Sequence, residues 1–428
     1  MENMLSNLER MAEPDFKVVL NYSALKDKMS LRASSTTLRR RVDKIENTFK
    51  VWRIGGLVDS AKLRRISDEI KIIKDLSIHY LDLSTPGCGP VFKDLMEKHQ
   101  ELESFRITVD MMDVLSGLNV YISTVDLDEI VLAVFSNLRS IYLSHMEKAG
   151  DILDLTSILP GLEKLELRQW YNLSDKGLTK ILSKSKISLK ELVLFDSDTK
   201  GIGLASGVKS LPNLETLNLA ECYKLKDKGL VKVLKICGSK LKVLNISNTN
   251  TTGIGLEEGV MSLPNLDILD LNRSEELRDE GLIEILRISR SKLRCLDLSW
   301  TMITGIGLEE RVEYLPMLED LNLSGCMYLK AEGLNQIRRI SGSKLTSLDL
   351  SYTYITGIGF KEGVKSLPML EYLELACEPL TDQGFLEIMS VTGNRLKSVR
   401  VSRTRISADV KQALRIQHPF AHFEYFEY

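Results

Sequence analysis

The sequence predicts an α/β solenoid in which short parallel strands line one face and helices line the other. Three observations predict it. The pattern L-x-x-L-x-L begins at Leu162, Leu189, Leu214, Leu241, Leu266, Leu293, Leu318, Leu345 and Leu370. The intervals alternate, 27 residues and then 25, so the repeating unit is a pair of 52. Between copies lies a G-L-x-x-I/V-L stretch, whose apolar spacing is helical. Self-similarity at a fixed period marks arrays in which each repeat buries its apolar face only against its neighbours. A chain of 428 residues is long for one ordinary core and suits either two or three domains or one such array.

Each element follows from its residues. Strand side chains alternate sides, so the last two leucines of the motif point inward and the residues around them point out along the concave face. The long repeat reads L-x-x-L-x-L-x-x-C-x-x-L-x-D-x-G-L, as from Leu214 to Leu230. The short repeat reads L-x-x-L-x-L-S-x-T-x-I-T-G-I-G-L, as from Leu293 to Leu308, and closes with S-L-P-x-L, as from Ser366 to Leu370. Weaker copies begin at Leu138 and Leu396. The ninth position carries Trp170, Ser197, Cys222, Thr249, Ser274, Thr301, Cys326, Thr353 and Glu378. Small polar side chains there are expected to turn inward and bond the backbone after the strand, with local irregularity at Trp170 and Glu378.

On these residues the long repeat resembles the cysteine-containing leucine-rich repeat family. The marks are Cys222, Leu225, Asp227, Gly229 and Leu230, with the same L-x-D-x-G-L/F run from Leu173 to Leu178, Leu277 to Leu282 and Leu380 to Phe385. The resemblance covers about two thirds of the chain. It implies a leucine-rich repeat horseshoe over 138–428, with the aromatic tail Phe420 to Tyr428 as a C-terminal cap or an anchor into a partner.

The N-terminal third reads differently. Arg39, Arg40 and Arg41 make it locally basic, and Leu25, Met29, Leu31, Leu38 and Val42 suggest short amphipathic helices. Val51 to Ile54 alternates like a strand, and Leu76 to Leu83 and Leu102 to Val109 read as degenerate strands. The run from Leu25 to Ser35, then Leu38 to Val42 and Phe49 to Trp52, is similar to the second half of an F-box, with Val18 to Tyr22 filling the preceding helix. The match departs at Met11-Ala12, where the family opens with Leu-Pro, at Leu38, where a tryptophan is usual, and at Lys28, where an apolar residue is usual. The resemblance implies a small helical F-box-like module over 1–55 that docks on the Skp adaptor of a cullin-RING ubiquitin ligase. Val19, Leu20, Leu25, Met29, Leu31, Leu38 and Val42 would be its adaptor-binding residues. Residues 56–137 would be irregular repeats or an N-terminal cap. The alternative is a helical cap without a ligase link.

Composition narrows the function. The 57 basic and 59 acidic residues leave a net charge of −2, which argues against a nucleic-acid or membrane-surface binder. The longest apolar run, Ile130 to Phe135, is far shorter than the roughly 18 residues that span a bilayer. The residues from Met1 to Phe16 carry no signal-peptide pattern. Cys88, Cys222, Cys237, Cys295, Cys326 and Cys377 form no C-x-x-C pair, which fits reduced thiols in a cytoplasmic or nuclear protein and no metal site. The glycines of Gly201-Ile202-Gly203, Gly253-Ile254-Gly255, Gly305-Ile306-Gly307 and Gly357-Ile358-Gly359 mimic a phosphate loop. A motif that recurs in step with the array is a structural turn, so no nucleotide or other cofactor is expected. His79, His99, His145, His418 and His422 fall in no catalytic order, so no catalytic residues are expected.

What remains is binding of a protein. The middle strand position carries Glu166, Val193, Asn218, Asn245, Asp270, Asp297, Asn322, Asp349, Glu374 and Arg400. It reads either as an acidic groove for a basic partner or as ordinary solvated strand surface. Phe195 and Tyr372 should project from the concave strands, and Trp300 and Tyr352 should lie at the strand-exit edge, where binding hot spots favour aromatics. The candidate partner-binding residues are Phe195, Asp270, Asp297, Trp300, Asp349, Tyr352 and Tyr372. Together the readings expect a substrate receptor of a ubiquitin ligase, or else a repeat scaffold without that link.

Overall fold

The computed structural model describes residues 161–426, apart from 172, 186, 261, 290–291, 342, 362–365 and 405. Before them it describes residues 51–54, 61, 64, 75–79, 91, 94–95, 98, 104–108 and 139–144. The proposed adaptor-binding residues Val19, Leu20, Leu25, Met29, Leu31, Leu38 and Val42 therefore lie outside the described residues. The chain divides into two compact units, Met1–Leu173 with Lys180–Leu189, and Ser174–Thr179 with Lys190–Tyr428.

The first unit holds five strands: β1 (Val51–Ile54), β2 (Asp75–His79), β3 (Ser104–Thr108), β4 (Ser140–Ser144) and β5 (Lys164–Arg168). Each pairs in parallel with the next. The degenerate strands read before residue 138 are thus rungs of the same kind. In β5, Leu165 and Leu167 are buried, and Glu166 between them is buried too, bridged by Arg168 at 2.6 Å. Trp170 follows them and is wholly buried, so it belongs to the core.

The second unit holds β6 (Glu191–Val193), β7 (Thr216–Asn218), β8 (Val243–Asn245), β9 (Ile268–Asp270), β10 (Cys295–Asp297), β11 (Asp320–Asn322), β12 (Ser347–Asp349), β13 (Tyr372–Leu375), β14 (Ser398–Ser402) and β15 (His422–Phe426). All pair in parallel in chain order. The register sets Leu217 beside Leu244, then Leu269, Leu296, Leu321, Leu348 and Leu373, and all seven are buried. The aromatic tail adds β15 as a last strand, with Phe423 inward.

Helices differ between the two repeat types. Long repeats carry α1 (Asp175–Ser185), α3 (Asp227–Ile236), α5 (Asp279–Ser289), α7 (Ala331–Ile340) and α8 (Asp382–Ser390). Short repeats carry the single turns α2 (Leu204–Gly207), α4 (Leu256–Gly259) and α6 (Leu308–Arg311). A final helix, α9 (Ala408–Gln417), precedes β15.

The glycine of L-x-D-x-G-L is explained by approach rather than flexibility. A Cβ on Gly281 would stand 1.7 Å from the Thr252 carbonyl oxygen, and one on Gly333 would stand 1.8 Å from that of Thr304. The aspartate two residues earlier ties α3 and α5 each to the next short turn. Thr252 and Gly253 donate their amides to Asp227 at 2.9 and 2.8 Å. Thr304 and Gly305 do the same to Asp279 at 3.1 and 2.8 Å. In these two pairs the recurring glycine motif is therefore a turn that satisfies its amides inside the array.

The polar ladder forms inside the core. Cys222 Sγ donates to the Leu194 carbonyl at 2.8 Å, Thr301 Oγ1 to Leu298 at 2.6 Å, and Cys326 Sγ also to Leu298 at 3.1 Å. One position needs correction. Glu378 is exposed, and Cys377 takes the inward place, donating to the Leu350 carbonyl at 3.0 Å. The loop there is one residue shorter, which also accounts for the 26 residues from Leu370 to Leu396.

Candidate functional site: the strand surface and its exit edge

The open strand surface starts from the middle strand position. The register aligns Asn218, Asn245, Asp270, Asp297, Asn322, Asp349, Glu374 and Arg400 as one row. Much of this row is tied into the scaffold. Asn245, Asp270, Asp297 and Asp349 each accept the amide of the residue two further on, at 2.8 to 3.0 Å. Asn245 also donates to Asp270 at 2.7 Å, and Asn322 to Asp297 at 3.0 Å. These Asx turns bend the chain out of the strand, which is a structural reason for Asn and Asp at this position.

The row still carries negative charge at the surface. Partial burial raises the Asp270 and Asp349 carboxyls, and carboxylates push the same way: Asp297 on the next rung from Asp270, and for Asp349 its neighbour Glu374 and, two rungs off, Asp297. Asp320, two residues before Asn322 on β11, is raised by burial and by Asp297. Farther along, Arg400 bridges Glu374 at 2.8 Å and Glu424 at 2.9 Å, so the acidic stretch ends there.

The exit edge is built by backbone geometry. The residue before most ladder positions adopts a left-handed conformation: Gln169, Asp196, Glu221, Asn248, Arg273, Trp300, Gly325, Tyr352 and Arg403 all have positive φ, whereas Ala376 before Cys377 does not. Such a φ is uncommon for non-glycine residues and costly for bulky ones. The turn points these side chains along one edge. Trp300 and Tyr352 are 41% and 45% exposed, and their ring centroids lie 6.0 Å apart although a whole repeat separates them in sequence. Gly325 makes this possible, because a Cβ there would meet Trp300 Cδ2 at 2.5 Å. Arg403 lies 5.3 Å from the centroid of the Tyr352 ring.

The other candidates are placed as follows. Tyr372 is exposed at the start of β13, with Lys397 Nζ 5.8 Å from its ring centroid. Phe195 is half-buried just after β6. Asp270, Asp297 and Asp349 are half-buried. Sequence reasoning missed Tyr223, Tyr328 and Tyr354, which are exposed in the loops after the strands. Their signal was the position two or three residues after the left-handed one. Among the described residues no cluster of His, Cys, Asp and Glu could hold a metal ion, and no helix is long and apolar enough to cross a membrane.

The fold and its repeat define a leucine-rich repeat protein. No profile of a known protein family matches the chain. Two curated proteins are similar to parts of it. The putative F-box/LRR-repeat protein 23 of Arabidopsis thaliana is 31% identical over 127 residues, which are 28% of this chain and 28% of that protein. F-box/LRR-repeat protein 4 of Bos taurus is 29% identical over 191 residues, 40% of this chain and 30% of that protein. The matches thus span under a third of the length of either relative. Among solved structures, one from the yeast Rad7 and Elc1 complex aligns at TM-score 0.47 and 16% identity, covering 87% of this chain and 95% of that one. A leucine-rich repeat protein of Leptospira interrogans aligns at 0.41 and 15%, covering 88% and 93%. The resemblance to F-box/leucine-rich repeat proteins holds as sequence similarity at about 30% identity.

Proposed function

We propose that this chain is the substrate-recognition subunit of an SCF-type cullin-RING ubiquitin ligase. Its N-terminal module, 1–55, would dock on the Skp adaptor through Val19, Leu20, Leu25, Met29, Leu31, Leu38 and Val42, and the repeats over 138–428 would hold a protein substrate. The observation that carries the binding half is the surface itself. A row of half-buried acids adjoins a preset aromatic pair, Trp300 and Tyr352, on rungs locked in register. Aromatics held rigid at the surface lose little entropy on binding and are the usual hot spots. The ligase half is supported by the names of the two curated relatives. The chain would act in the cytoplasm or nucleus, as a binder and not as a catalyst.

The adaptor half is tested with the full chain and purified Skp adaptor. Retention of the adaptor, lost in Leu25→Asp/Met29→Asp, is the expected result. A folded full chain that retains no adaptor sinks the ligase reading and leaves a repeat scaffold, which the departures at Met11-Ala12 and Lys28 would then explain. For the substrate half, Asp270→Lys/Asp297→Lys/Asp349→Lys and Trp300→Ala should each lose captured partners that wild type retains. Identical capture by all three forms refutes the surface.

A further inference from the structure

The long-helix aspartate has one interruption. Asp175, Asp227 and Asp279 begin α1, α3 and α5, and each accepts amides from the following turn. In the fourth pair, Ala331 stands at that position. The turn it should serve is unchanged, since Thr356-Gly357-Ile358-Gly359 repeats Thr252-Gly253-Ile254-Gly255 and Thr304-Gly305-Ile306-Gly307. Its backbone is unchanged too, with φ of 80° at Gly357 against 86° at Gly253 and 81° at Gly305. Among the described residues, nothing accepts the amides of Thr356 and Gly357. Thr356 is exposed, whereas Thr252 and Thr304 are half-buried beneath their aspartates. Tyr352 and Tyr354, both exposed, precede Thr356 on the same loop.

The sister copies say what these amides are shaped for. The corresponding two amides and hydroxyl converge on a single carboxylate in the second and third pairs, with Thr252 Oγ1 donating to Asp227 at 2.7 Å. We propose that the Thr356–Gly357 turn is a binding site for the carboxylate of an aspartate or glutamate side chain on a partner protein. The partner supplies from outside the group that Asp227 and Asp279 supply from within. Backbone amides aimed at one point form a natural anion cradle. Tyr354, exposed two residues earlier on the same loop, is the nearest aromatic in sequence to these amides. This site lies beyond the proposed receptor role and stands whether or not the chain docks an adaptor.

The test uses acetate as the probe and the full chain labelled with 13C-carbonyl threonine and 15N glycine. Only Thr-Gly pairs then report by NMR, and in this sequence they end at Gly253, Gly305, Gly357 and Gly393. Acetate titrated against chloride at constant sodium should shift Gly357 saturably and leave Gly253 and Gly305 in place. In Ala331→Asp, Gly357 should start at a shifted position and no longer respond. Ala331→Asn offers a neutral acceptor and should weaken the response. A Gly357 that does not move, that moves no more than Gly253 and Gly305, or that still responds in Ala331→Asp overturns the proposal. So does a response to inorganic phosphate without one to acetate.

Discussion

Arg338 sits in a place that the sister helices fill with Leu234, Leu286 and Met389. It is buried, with its guanidinium 3.7 Å from the Phe360 ring centroid and Nη1 donating to the Phe360 carbonyl at 2.5 Å. Nε and Nη2 meet no acceptor among the described residues. Burial, and secondarily Arg339, bring the guanidinium down to about 9, the mark of a cation that has lost its water without gaining an anion. Arg338→Leu should therefore stabilise the protein, by about 1–4 kcal/mol if it behaves like other buried charges replaced by apolar groups. A urea midpoint that rises at unchanged slope is the expected outcome, and a lower midpoint contradicts it. The ladder cysteines make the opposite case. Burial pushes the thiols of Cys222, Cys326 and Cys377 up to about 11 from an ordinary value of 9.0. The folded state holds these protons more tightly than the unfolded chain. The stability they add is thus complete below pH about 9 and is lost as the pH rises through about 11. Replacing all three with serine, which Ser197 and Ser274 show the rung accepts, should flatten the loss of stability between those pH values. An unchanged alkaline slope would assign the loss to other groups.

The helices α3 and α5 are each keyed to the turns on either side by one glycine and one carboxylate. Gly281→Ala must push its Cβ out of the Thr252 carbonyl, a steric cost of about 1–3 kcal/mol by analogy with overpacked cores. Asp227→Ala leaves the amides of Thr252 and Gly253 without their acceptor and should cost about 1–3 kcal/mol. Chemical denaturation checks both, and wild-type stability in either variant would refute the keying. The elements were legible in the sequence because leucine placement carries both the strand alternation and the rung interval. Even the short loop at Glu378 was written in the 26-residue step to Leu396, although that step lies past the last strict copy. The edge was legible only in part. Trp300 and Tyr352 could be placed on one side, but their contact depends on Gly325 in the rung between them, and a pattern read one repeat at a time does not show contacts across rungs. The acidic row read either as a binding groove or as ordinary solvated strand surface, and neither reading holds its structural part. Its bonds to amides two residues on follow from the turn that ends each strand, which leucine spacing does not encode.

Across the second unit, every rung pairs with the next in sequence. Stability in such an array is a sum of local terms and nearest-neighbour interfaces. Hydrogen exchange in Gly281→Ala should accordingly quicken in β8, β9 and β10 while the amides of β14 keep their protection. Uniform loss along all strands would show that the unit melts as one body. The binding surface inherits this locality, since a strand residue can be exchanged with effects confined to adjacent rungs. The alternation of long and short repeats sets a different kind of limit, one on how the gene can change. A long helix such as α3 or α5 needs a short turn before it, to make room for its glycine, and another after it, to take its carboxylate. Loss of a single repeat would set two of a kind side by side and strand both keys. Loss or gain of 52 residues leaves every seam intact. The array can thus lengthen or shorten only in whole pairs: a library cut at the S/Y-L-P junctions, which recur every 52 residues, should yield soluble proteins, and one that joins such a junction to an S-K-L junction, half a pair out of step, should yield aggregates.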